Sequence, residues 1–65
     1  MFEVGDLVRR NDSFDKKRQL GMITKINEKV HIRSSGLAAI VMVYWFLTEE
    51  TEIEYTFFLE KLDKQ

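Results

Sequence analysis

Residues 39–46 (Ala39-Ile40-Val41-Met42-Val43-Tyr44-Trp45-Phe46) form an unbroken apolar run in a chain of 65 residues. A strand sends alternate side chains to opposite faces. A chain this short has material for one core, so a run that is apolar on both faces predicts that one face meets something outside that core. Downstream, Thr51-Glu52-Ile53-Glu54-Tyr55-Thr56-Phe57 alternates polar with apolar, the pattern of a half-buried strand. It predicts Ile53, Tyr55 and Phe57 inward, with Glu52 and Glu54 marking the outer face.

The same reading places the remaining elements. Residues 4–10 read as a first strand with Val4 and either Leu7 or Val8 inward. Residues 11–18 read as a polar loop with one aromatic, Phe14. Residues 19–27 read as a second strand, because Met22-Ile23-Thr24-Lys25-Ile26 is β-rich and has no helical face. Asn27-Glu28-Lys29 reads as a turn, Val30-His31-Ile32 as a short continuation, Ser34-Ser35-Gly36 as a loop, and residues 39–47 as the central strand. Thr48-Glu49-Glu50 reverses the chain. Leu59 and Leu62 close it through a helical turn and a short last strand. Five short strands, no proline and no internal repeat predict an all-β fold, a small five-stranded barrel. Closure would remove most of the sheet edge that could pair with other chains. The expected core is Trp45, Val41, Val43, Ile53, Tyr55 and Phe57 with Ile23, Ile26 and Leu62.

Two stretches carry a family resemblance. Val4-Gly5-Asp6-Leu7-Val8-Arg9-Arg10, a polar loop, then Leu20-Gly21-Met22-Ile23-Thr24-Lys25-Ile26 resembles the KOW pattern of SH3-like barrels. That pattern opens on Gly-Asp with a hydrophobic pair and resumes at a Gly-x-Val-x-x-Ile strand. Val41-Met42-Val43-Tyr44-Trp45-Phe46 and the ending Phe58-Leu59-Glu60-Lys61-Leu62 are similar to small uncharacterised proteins of tailed bacteriophages, particularly phages of marine cyanobacteria. The resemblance implies an SH3-like barrel of phage origin, at work in a host cytoplasm or a virion. For the KOW class it also implies binding to nucleic acid or a transcription complex. The KOW loop carries a glycine, and residues 11–18 carry none.

Composition narrows the function classes. The chain is 45% hydrophobic and 32% charged, as in an ordinary folded domain, and is expected to form a single domain over residues 1–65. Domains this small often lean on disulfides, a metal or association. With no cysteine and one histidine, neither a disulfide nor a structural zinc site is expected, which leaves association. Lack of cysteine suits a reducing cytoplasm. Glu3 and Asp6 stand where a signal peptide needs a basic start and an apolar stretch, and the apolar run is too short to span a membrane. No membrane partner is expected.

The net charge of -1 hides an asymmetry. Residues 1–33 hold eight Lys/Arg against five Asp/Glu, and residues 34–65 hold two against six. The halves are thus about +3 and -4, a polarity that can steer partners. Arg9, Arg10, Phe14, Lys16, Lys17 and Arg18 are the candidate nucleic-acid group: the cations would neutralise phosphates and the ring would stack on a base. Asp12 and Asp15 weaken its potential, so a solvated, mobile loop is the simpler reading. Glu49, Glu50, Glu52 and Glu54 lack the spacing and the glycine of a calcium loop. His31 would titrate near neutrality but has no nucleophile arranged around it in sequence. No paired-carboxylate, phosphate-loop or metal-ligand pattern is present, and a barrel of this size has little room for a deep pocket. The chain is therefore expected to be no enzyme and to carry no cofactor.

The apolar run remains. If Val41, Val43 and Trp45 face the core, then Ile40, Met42, Tyr44 and Phe46 face out, and Met, Tyr and Phe are enriched at protein interfaces. Two innocent readings compete: residues 30–38 fold over the stripe as a loop, or strand curvature buries part of both faces. The sequence is read as a non-catalytic protein-binding or assembly module, whose partner is itself, a virion component or a host factor. The alternative is a KOW-type nucleic-acid or transcription-complex binder using the basic loop. Salt dependence separates the two, because phosphate contacts release counterions.

Overall fold

A computed structural model describes residues 2–12, 16–32 and 36–62, with the backbone alone for 28–32 and 36–38. The strands are β1 (Leu7–Arg10), β2 (Gly21–Ile32), β3 (Gly36–Trp45), β4 (Glu50–Tyr55) and β5 (Leu59–Lys61), with 3-10 turns at Lys16–Arg18 and Thr56–Phe58. They form one antiparallel sheet in the order β4-β3-β2-β1-β5. The all-β class, the five strands and the helical turn ahead of the last strand are as the sequence predicts. The sheet curls toward a barrel without closing, so β4 and β5 remain its edges.

The inner face is lined by Val8, Ile23, Val41, Val43 and Trp45, all fully buried, and by Leu59; Phe2, Ile26 and Ala39 pack against them. The central strand thus contributes Val41, Val43 and Trp45, as its two-residue period requires. Its neighbour comes very close at Gly21, which pairs with Trp45 across β2 and β3. A methyl group at Gly21 would lie 2.6 Å from Trp45 Cε3 and 2.8 Å from both Tyr44 O and Val43 Cγ1. Glycine is there for close approach, not for backbone freedom.

Gly5-Asp6 makes the turn into β1. Gly5 has φ 97°, a conformation natural to glycine. The Glu3 N–H donates to Asp6 Oδ2 at 2.8 Å, the Gly5 N–H to the Ile23 carbonyl at 2.8 Å, and the Ile23 N–H to the Asp6 carbonyl at 3.0 Å. The first strand therefore starts at Leu7 instead of Val4, which is exposed. Of the candidate inward pair, Val8 is the one that is buried.

Four further expectations are corrected. No turn interrupts residues 27–29. β2 runs through them to Ile32, absorbing register shifts between Ile23 and Lys25 and between Ile26 and Glu28. Bulges re-aim a strand without ending it, and polar residues at a bulge read in sequence like a turn. Residues 30–32 and 36–38 are not part of a long loop over the apolar stripe, because Val30 pairs with Ala38 and Ile32 with Gly36 between β2 and β3; Ser34 and Ser35 of the expected loop lie outside the described residues. The central strand accordingly starts at Gly36 and ends at Trp45. Leu62 is half-buried and stands outside the buried core, held where its N–H donates to the Leu7 carbonyl at 2.8 Å.

The fourth correction concerns β4, whose faces are the reverse of those expected. Ile53, Tyr55 and Phe57 are exposed, whereas Glu54 and Thr56 are buried. The register shows how. Val41 pairs with Glu54, Val43 with Glu52 and Trp45 with Glu50. Residues opposite each other in a ladder share a face, so the carboxylates follow the valines and the indole to the inner side. The four-residue reversal 46–49 fixes this register. The Glu49 N–H donates to the Trp45 carbonyl at 2.8 Å, and Glu49 takes φ 59°, rare for a residue with a side chain. One residue more or less in that turn would exchange the two faces of β4.

Candidate protein-binding face

The outer face is the surface that the apolar run predicted, and it is broader than the run. Ile40, Met42 and Tyr44 project from β3 half-buried, and Phe46 follows them at 39% exposure. The inverted β4 adds its apolar set alongside: Met42 pairs with Ile53 and Ile40 with Tyr55. Ile53 is 63% exposed and Tyr55 41% on β4, and Phe57 is 43% exposed on the 3-10 turn that follows. On the other side of β3, Tyr44 pairs with Met22, and Met22 with Leu7, which extends the apolar face across β2 and β1 at that end, while the β2 partner of Met42 is the exposed Lys25.

The aromatics on this face are organised in pairs. Tyr44 and Phe46 meet edge to face with centroids 5.4 Å apart, and Tyr55 stacks on Phe57 at 5.4 Å. Phe57 also leans on Phe58 at 4.4 Å. Such pairs hold large side chains in place before any partner arrives, which lowers the entropy lost on binding. Together the exposed apolar groups present roughly 500 Å2, the size of the largest apolar patch on a typical monomer and of a kind often functional. Of this face, Ile53, Tyr55 and Phe57 were not legible as site residues. Strict alternation tells that a strand has two unlike faces, and nothing in it tells which of them is inside.

The basic group has a different fate. Arg9 Nε donates to Glu60 Oε1 at 2.8 Å, and Arg10 Nη1 donates to Glu54 Oε1 at 2.9 Å. Arg18 binds Glu52 in a two-pronged contact of 2.6 and 2.9 Å, and its Nε lies 3.7 Å from Glu54 Oε2. Arg10 also lies over the Phe58 ring, 5.0 Å from its centroid. The three arginines are thus committed to carboxylates of β4 and β5. Lys16 and Lys17 sit exposed on the first 3-10 turn, and Phe14 lies outside the described residues. The shallow recess nearby is lined by Arg9, Arg10, Asn11, Gln19 and Glu60, and two of its charges already neutralise each other.

These ion pairs explain the inverted strand. Arg10 and Arg18 reach the inner side, where a lone cation is costly and a carboxylate must meet it. Glu54, its side chain 6% exposed, lies between them. Thr56 adds a hydroxyl that accepts from the Ala39 N–H at 3.0 Å. Two buried polar atoms, Arg10 Nε and Trp45 Nε1, have no hydrogen-bond partner among the described residues. Replacing Glu54 by Ala strands Arg10 and is expected to cost about 2 kcal/mol, below the 3–5 kcal/mol of a fully buried pair because Arg10 retains access to water. Glu60→Ala breaks a pair whose side chains are both 48% exposed and should move stability by less than about 0.5 kcal/mol. Urea midpoints of the two variants, at unchanged slope, measure the contrast.

Among the described residues no group of three or more His, Cys, Asp or Glu is placed to hold a metal ion, and no helix is long and apolar enough to cross a membrane. The backbone alone is described at His31. Comparison of the chain with protein-family models, curated proteins and solved structures finds no significant match.

Proposed function

We propose that this chain is a non-catalytic protein-binding module whose working surface is the outer face of the sheet, centred on Met42 and Ile53. The observation that carries the reading is the orientation of β4. Its apolar side, Ile53 and Tyr55, lies in the open beside Met42 and Ile40, while Glu54 is buried on the inner side. A strand that gives its apolar side to solvent in a domain with so small a core leaves that side for another molecule. Residues 30–32 and 36–38, part of the segment expected to cover the face, are paired with each other in the β2–β3 ladder instead. The resemblance of residues 41–46 and 58–62 to small phage proteins supports a phage-encoded module acting on a virion component or a host factor, in the host cytoplasm or the particle.

The nucleic-acid reading ranks second, because Arg9, Arg10 and Arg18 are held by Glu60, Glu54 and Glu52. The test is affinity capture from host or infected lysate, read by mass spectrometry, for the parent and a Met42→Lys, Phe46→Lys double variant. The expected outcome is that the double variant keeps its fold, by circular dichroism, and loses the captured proteins. If the folded variant captures the same set, the outer face is not the working surface.

A further inference from the structure

We infer that the occupant of the outer face is a second copy of this chain, packed face to face about a two-fold axis through the Met42–Ile53 pair. The inference rests on the proposed binding role of that face and names its partner.

The layout of the face supports a copy of itself. Met42 and Ile53 pair across β3 and β4 at its centre. Tyr44 and Phe46 form an aromatic pair at one end, and Tyr55 and Phe57 form another at the opposite end. A two-fold axis lying in the interface, perpendicular to the strands, reverses the strand direction of the second copy. It sets Met42 and Ile53 opposite their own counterparts, and Tyr44 and Tyr55 opposite Ile40 and Thr51 of the second copy, so the aromatic pairs lie diagonally across the interface from one another. Such an isologous contact closes on itself and stops at two copies. Two sheets packed in this way keep aligned strands and interleave their inner side chains at about 10 Å separation.

The area fits as well. Roughly 500 Å2 from each copy gives about 1,000 Å2 in total before the rim is counted, the threshold for a specific interface. The pairing also supplies what the monomer lacks. Among the described residues only six apolar side chains are fully or nearly fully buried, and no disulfide is available to a chain without cysteine. A second copy would convert the outer side chains of β3 and β4 into a further core.

The absence of native cysteine makes a direct test clean. Sedimentation equilibrium over about 10 μM to 1 mM should show the molar mass of the parent doubling, as befits an interface of this modest size. Ile53→Lys, at a residue that is 63% exposed and outside the core, should remain folded and weaken association at least tenfold. A short bismaleimide should link Ile53→Cys to its own copy and leave Glu60→Cys, on β5, unlinked. A parent that stays monomeric to 1 mM, an Ile53→Lys variant that still doubles, or equal linking at both cysteines overturns the proposal. A monomeric parent whose lysate capture still depends on Met42 and Phe46 sinks the second copy and leaves the binding role standing. Doubling that Ile53→Lys abolishes, with lysate capture indifferent to Met42 and Phe46, upholds the second copy and confines the binding role of the face to self-association.

Discussion

Replacing Trp45 by Ala should leave the domain unfolded or at the edge of unfolding. Trp45 is the largest fully buried side chain, and Val41, Val43 and Ile23 share its cluster. Truncating a buried tryptophan to Ala costs about 3–5 kcal/mol. Domain stability is roughly 0.05–0.15 kcal/mol per residue, about 3–10 kcal/mol for a chain of 65 residues, so the loss takes from a third to all of it. Trp45→Phe should cost distinctly less. It keeps an aromatic ring in place and removes the indole Nε1, a buried donor with no acceptor among the described residues. Thermal melts of the three proteins give the order parent, Phe, Ala. An Ala variant that melts within a few degrees of the parent would mean that the indole does not close the core.

The central strand was legible because its pattern admits one solution. Eight apolar residues in a row must fill whichever face is inside, and Trp45, the largest, sets the phase for Val41 and Val43. The turn at Gly5-Asp6 and the close approach at Gly21 rest on local features of glycine, a positive φ at the first and a missing Cβ at the second. The orientation of β4 was not legible. Its two faces are Glu50-Glu52-Glu54 and Thr51-Ile53-Tyr55, and hydrophobicity alone sends the second set inward. What decides otherwise is non-local: the length of the reversal 46–49 and the arrival of Arg10 and Arg18 from strands and turns more than thirty positions away in sequence. The bulges in β2 escaped for a related reason, because Asn27-Glu28-Lys29 has the composition of a turn while its backbone has partners on β3.

The charge asymmetry of the two halves takes its meaning from the same contacts. The basic N-terminal half and the acidic C-terminal half look, in sequence, like a polarity available to partners. In the fold they meet: Arg9 with Glu60, Arg10 with Glu54 and Arg18 with Glu52. Charges spent inside the molecule do little steering outside it. The result is a protein whose polar side chains fasten the β4 edge from the inner side of the sheet, and whose β4 apolar side chains are turned to the outside. The structural role of the carboxylates and the exposure of Ile53 and Tyr55 are two consequences of one register.

Gly21→Ala is the other substitution expected to act strongly, although it adds a single carbon. Overpacking a tight core costs about 1–3 kcal/mol, and this site belongs at the upper end. The added methyl would meet three atoms below 3.0 Å, and none belongs to the far end of a flexible side chain. Tyr44 O is backbone. Trp45 Cε3 sits on a ring fixed in the core, and Val43 Cγ1 belongs to a fully buried valine. Relief requires β2 and β3 to separate where Gly21 pairs with Trp45 and Met22 with Tyr44. That movement would loosen the core on one side of the sheet and displace Tyr44 on the other, so stability and outer-face binding should fall together. Urea unfolding with trimethylamine N-oxide present, which keeps marginal variants folded, measures the stability loss. Sedimentation of the still-folded variant measures the effect on association. A Gly21→Ala protein with the parent's midpoint would show that the two strands do not need this glycine, and that the approach of β2 to β3 is looser than 2.6 Å implies.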